Sequence, residues 1–80
     1  AMMKHDQFTA IMPYISADLI AMIAEKEKIS GVEALHRLYS SQLYALLEQE
    51  DTKLWHYSTP MLYSLFLQEQ ETGTIQFPEV

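Results

Sequence analysis

The sequence predicts an all-α fold, a small bundle of about four short helices with an extended C-terminal tail, and three observations carry that expectation. Apolar residues recur three or four apart along most of the chain, the spacing that lines one face of a helix. Hydroxyl residues stand where such helices would begin, at Ser16, Ser30, Ser40-Ser41 and Ser58-Thr59. Leu, Ile, Val and Phe supply 21 of the 80 residues, above the fifth or so below which a charged chain tends to stay disordered.

The first helix is marked by Phe8, Ile11, Met12, Ile15, Leu19, Met22 and Ile23. Pro13 interrupts this stripe, so the expected element is kinked, or broken with a restart at Ser16, and ends near Lys28. Ser30-Gly31-Val32-Glu33 has the form of a capping box that opens a second helix, with Val32, Leu35, Leu38 and Tyr39 as its buried stripe. Ser40-Ser41 offers a break or the N-cap of a third, short helix carrying Leu43, Tyr44, Leu46 and Leu47. Glu50-Asp51-Thr52 reads as a loop, and Leu54-Trp55-His56-Tyr57 as a turn, a buried crossing or a short strand. Ser58-Thr59-Pro60 starts the last helix, which runs to about Glu71 with Gly73 as its left-handed cap. The tail over 74–80 alternates from Thr74 to Pro78 as a strand would, and is expected to pair with 54–57 or to order on binding.

Residues 1–80 form a single domain, with Ala1 read as a tag remnant ahead of Met2 and Met3. A chain of this size buries roughly 60–65% of its unfolded surface, which makes one thin core. Its expected members are Ile15, Leu19, Ile23, Leu35, Leu38, Leu43, Leu46, Leu47, Leu62, Leu65 and Phe66. With no cysteine, no disulfide supplements that core, and burial against a partner becomes a source of stability.

Charge narrows the function. The net charge is −6; acids outnumber Lys and Arg by one as far as Leu47 and by five from Glu48 onward. Scattered cations on an acidic chain argue against nucleic acid and favour a basic protein surface as partner. The apolar stretches fall far short of a membrane span, and no leader pattern precedes them, so the expected setting is the cytoplasm without a membrane.

Little in the sequence suggests catalysis. Glu33-Ala-Leu-His36 has the spacing that places a carboxylate and an imidazole on adjacent helical turns, so metal binding through Glu33 and His36 is one alternative. A single copy does not complete a site, and no metal or other cofactor is expected. His56 reads as a half-buried ring beside Trp55 and Tyr57. No nucleophile elbow, phosphate loop or zinc motif occurs, and the chain is read as a non-enzyme. The other alternative is a helical DNA-associated regulator built on the turn at Ser40-Ser41. Its recognition helix, Gln42 to Gln49, holds no Lys or Arg and ends in acid.

Aromatic residues concentrate from Tyr39 to Phe66, and Tyr and Trp carry binding energy at interfaces. The last helix, with Leu62, Tyr63, Leu65, Phe66 and Leu67, is apolar nearly all round and wants cover on more than one side. Trp55, Tyr57, Tyr63 and Phe66 are therefore the expected partner-binding residues, facing a second copy of the chain in a homodimer or a larger basic protein.

The run Ile-Ser-Gly-x-Glu-Ala-Leu from Ile29, then Leu-Tyr-x-x-x-Leu-Tyr-x-Leu-Leu-Glu and Thr-Lys-Leu-Trp-His-Tyr-Ser, resembles a group of small uncharacterised bacterial all-helical proteins, a domain of unknown function. Some of them are encoded beside ADP-ribosyltransferase-like toxins. The resemblance implies a helical fold and an antitoxin-like or accessory role.

Overall fold

A computed structural model describes residues 4–76, with side chains from Asp6 onward. Four α-helices follow in order: α1 (Lys4–Glu27), α2 (Gly31–Tyr39), α3 (Gln42–Leu47) and α4 (Thr59–Thr72). Two 3-10 turns, Glu50–Thr52 and Leu54–His56, join α3 to α4, and no strand occurs among the described residues. The fold is the all-α bundle that the apolar spacing predicts.

α1 runs through Pro13 without a break. At about 1.5 Å per residue its 24 residues span about 36 Å, which sets the long axis of a molecule of 41 × 27 × 19 Å. Proline inside a helix costs about 3 kcal/mol, but side chains on both sides of it anchor the same helix. Met12 and Ile15 pack against the core, and Leu19 and Ile23 are fully buried. Ser16 therefore starts no helix; it lies buried mid-helix, its hydroxyl donating to the Tyr44 hydroxyl at 3.4 Å.

The continuity has a second effect. Over Asp6–Glu27, α1 is long and apolar enough to cross a membrane by length and composition, with mean hydropathy 1.3, contrary to the expectation that the apolar stretches fall far short of a span. In the fold 17% of that stretch is buried, and α1 contacts both α2 and α4.

α1 ends in a Schellman turn: Lys28 takes φ 57° and the Ile29 N–H donates to the Ala24 carbonyl at 3.1 Å. At α2 the Ser30 hydroxyl accepts the Glu33 N–H at 3.1 Å. The Glu33 carboxylate turns instead to Arg37 at 3.4 Å, so the expected box forms on one side, and Arg37 also pairs with Glu27 at 2.9 Å. α2 buries Ala34 and Leu38, one turn apart. Val32 and Tyr39 lie roughly 120–140° round the helix from that face, which leaves them 67% and 49% exposed rather than buried. Leu35 is half-buried and stands outside the core.

α3 is held at its start by two side chains. The Ser41 hydroxyl accepts the Tyr44 N–H at 3.1 Å and donates to the Leu38 carbonyl. From α4, Glu69 accepts the Gln42 N–H at 2.8 Å and the Leu43 N–H at 2.9 Å, one on each carboxylate oxygen. A carboxylate there satisfies two of the four amides a helix leaves without partners and opposes the positive end of its dipole. Glu69→Ala is expected to cost about 1–3 kcal/mol, or about 4–8 °C of melting temperature per kcal/mol in a domain of this size. Glu69→Gln, which keeps one acceptor, should lose less. Thermal circular dichroism measures both, and an Ala variant melting with the parent chain would refute the cap.

The 54–57 segment is neither strand nor crossing. Leu54 drops into the core from its 3-10 turn, and the Trp55 indole N–H donates to the Glu50 carbonyl at 2.9 Å. α4 begins as expected, with the Ser58 hydroxyl accepting the Met61 N–H at 3.3 Å and Pro60 in the first turn. It closes at Gly73, whose φ of 79° only glycine adopts without strain. The tail does not pair with 54–57 within the described residues. Ile75 packs against the core and the Gln76 N–H donates to the Gln68 side-chain carbonyl, which folds the segment back on α4. The remainder of the tail, 77–80, and Ala1 lie outside the described residues.

Of the expected core, Leu19, Ile23, Leu38, Leu43, Leu47, Leu62, Leu65 and Phe66 are buried, and Ile15 and Leu46 are half-buried against them. Ala34 and Leu54 complete it. The apolar circumference of α4 is largely covered within the chain: Leu62, Leu65 and Phe66 are buried and Tyr63 and Leu67 half-buried, with Met61 the exposed exception at 39%.

Candidate functional site

The four aromatics singled out from sequence do not form an exposed patch. Phe66 is fully buried and belongs to the core. Trp55 and Tyr57 are half-buried, and Trp55 meets Phe8 of α1 edge-on at 5.6 Å and the exposed His56 at 4.1 Å. Tyr63 stacks on Phe66 at 6.4 Å, and its hydroxyl donates to Glu27 at 3.5 Å.

Burial first, and then the Glu27 charge and hydrogen bond, raise the Tyr63 phenol above the ordinary 10.0. Ionised Tyr63 is thus disfavoured in the fold. Its contribution to stability is complete below pH 10.0 and is lost as pH rises through the raised folded value. Tyr63→Phe should lose less melting temperature than the parent chain when pH is raised past 10.0; equal losses would show that Tyr63 does not contribute.

A different set of side chains does converge. A groove of about 530 Å³ runs between the N-terminal half of α1 and the α2–α3 corner. Phe8, Met12, Pro13 and Ile20 form one wall, Tyr39 and Tyr44 the other, and Thr9, Ser16, Ala17 and Glu48 fill the remaining lining. The tyrosine rings stack at 4.5 Å with 26° between their planes. Tyr44 raises the Tyr39 phenol above its ordinary value, first through a side-chain hydrogen bond and then through its charge, with burial and Glu48 acting in the same direction. The Tyr39 phenol therefore stays protonated at neutral pH.

The chain's own local structure builds this wall. The Ser41 cap turns the backbone so that Tyr39, at the end of α2, and Tyr44, in α3, come face to face. Glu48, four residues beyond Tyr44, falls on the same side one turn later. Tyr39 is exposed because it faces the groove rather than the core. The spacing Tyr39, Tyr44 and Glu48 across a serine-capped break was the available signal for one wall; the opposite wall comes from residues at least 19 positions earlier, Phe8 to Ile20.

Glu33 and His36 do not gather further ligands. Glu33 pairs with Arg37, His36 is exposed, and no group of three or more His, Cys, Asp or Glu positioned to hold a metal occurs among the described residues.

Fold and groove together define a small all-α bundle with an open apolar cleft beside acid. In comparisons with known proteins, no family model, curated protein or solved structure matches the chain.

Proposed function

We propose that the chain is a cytoplasmic, non-enzymatic interaction module that binds a basic partner protein. The observation that carries this reading is the groove, where partly exposed apolar and aromatic side chains adjoin Glu48 on a chain of net charge −6. Apolar contact supplies affinity at such a surface, and the acidic field speeds encounter with a basic one. An antitoxin-like or accessory role toward an ADP-ribosyltransferase-like protein is the form of this function that the sequence resemblance implies.

DNA readout ranks second for a physical reason. In a helix-turn-helix the N-terminus of the second helix meets DNA, but the N-terminus of α3 carries the Glu69 carboxylate. That charge repels phosphate.

The test is capture from native lysate by tagged chain, read by mass spectrometry, beside Tyr39→Asp and with light scattering of the purified chain. One enriched basic protein, lost with Tyr39→Asp, supports the module. A dimer that separates on the same substitution makes a second copy the partner. Recovery of the chain alone as a monomer overturns the proposal.

A further inference from the structure

We infer that the groove seats a partner segment in which a lysine or arginine is flanked by aliphatic residues, an inference that rests on the interaction-module reading. Its volume, about 530 Å³, lies within the range of pockets that enclose a compact ligand or a few side chains. Phe8, Met12 and Ile20 offer an apolar floor for the aliphatic part.

The polar part of the groove is biased toward acceptors. Glu48 is the one charged residue among those lining it, and no Lys or Arg contributes. Pro13 has no N–H to give the Thr9 carbonyl one turn earlier, and Thr9 and Pro13 both line the cleft. That carbonyl lacks the usual donor of a helix interior. The Tyr39 and Tyr44 rings and the Glu48 carboxylate line the same cleft, a setting suited to a cation, which gains from the carboxylate while its aliphatic stem packs on the aromatic wall. An acidic segment or a phosphate would meet repulsion there and no cationic side chain.

Trp55 is the chain's only tryptophan and touches Phe8, so its fluorescence reports on the groove wall. The probes are an amphipathic peptide of leucine and lysine and its counterpart in which glutamate replaces lysine, titrated into the whole chain. The leucine–lysine peptide is expected to shift Trp55 emission and the leucine–glutamate peptide to leave it unchanged. Glu48→Gln should weaken the first interaction by about tenfold or more, the scale of a lost charge-assisted contact. Glu25→Gln removes the same charge from an exposed position outside the groove lining and should change it by less than about twofold.

Tyr39→Ala, at an exposed position, provides a second groove variant should Glu48→Gln disturb the fold, and circular dichroism checks each protein. Equal weakening by Glu48→Gln and Glu25→Gln would reduce the binding to overall charge and overturn the inference. Equal binding of both peptides, or no binding of the leucine–lysine peptide, would also overturn it. The interaction-module reading would still stand if lysate capture returned a partner, so the two failures are separable.

Discussion

Phe66→Ala is expected to remove a large share of the chain's stability and to lower its melting temperature by roughly 12 °C or more. Phe66 is the largest of the fully buried side chains, and truncating such a phenylalanine costs about 3–5 kcal/mol through lost burial and the cavity left behind. A chain of 80 residues has about 4–12 kcal/mol of total stability on the usual per-residue scale, so one substitution removes much of it. Far-ultraviolet circular dichroism should show helix melting at a much lower temperature, while Phe66→Leu, which keeps an apolar group in the site, should lose less. A cooperative Phe66→Ala melt within a few degrees of the parent chain would contradict this account of the core. The result also bears on how binding defects are read: a charge at position 66 would abolish association by unfolding the chain, whereas Tyr39 tests the surface.

Pro13→Ala should act in the opposite direction, raising stability by about 1–3 kcal/mol. Alanine restores an N–H to the Thr9 carbonyl and removes the clash of the ring with the preceding turn, and the exposed position requires little repacking. Urea unfolding at constant slope measures the gain as a higher midpoint. A lowered midpoint would mean that proline sets a helix course on which Phe8 and Met12 depend for their packing. If the groove uses the Thr9 carbonyl, the stabilised variant should also bind the leucine–lysine peptide more weakly, a loss of function accompanying a gain in stability.

Helix boundaries were legible where the chemistry is local. Ser30, Ser41 and Ser58 each accept an amide three residues on, and Gly73 takes the left-handed turn that its place after α4 suggests. Seven of the expected core residues follow from spacing alone because α1, α3 and α4 each bury a regular stripe. Spacing misled where a helix is short: nine residues of α2 cannot separate a core stripe at Ala34 and Leu38 from its flanks at Val32 and Tyr39. Pro13 misled because the intrinsic cost of proline is visible in sequence, whereas the packing that offsets it is not. Phe66 was expected both in the core and at the partner surface; it is fully buried, on a helix that both α1 and α3 contact, so only the first expectation holds. One wall of the groove was written in a local pattern, while the other arrives from the N-terminal helix and depends on tertiary packing.

The carboxylate of Glu69 at the start of α3 has a consequence for the order in which the molecule assembles. A helix of six residues is far below the length at which nucleation is repaid in water, and two of its first amides depend on a side chain 26 and 27 positions later. α3 therefore has no independent existence and becomes ordered only when the C-terminal half of α4 docks. Gln42 and Leu43 amide protons should exchange with solvent at the free energy that opens α4, so that these two segments, distant in the chain, open and close as one cooperative unit.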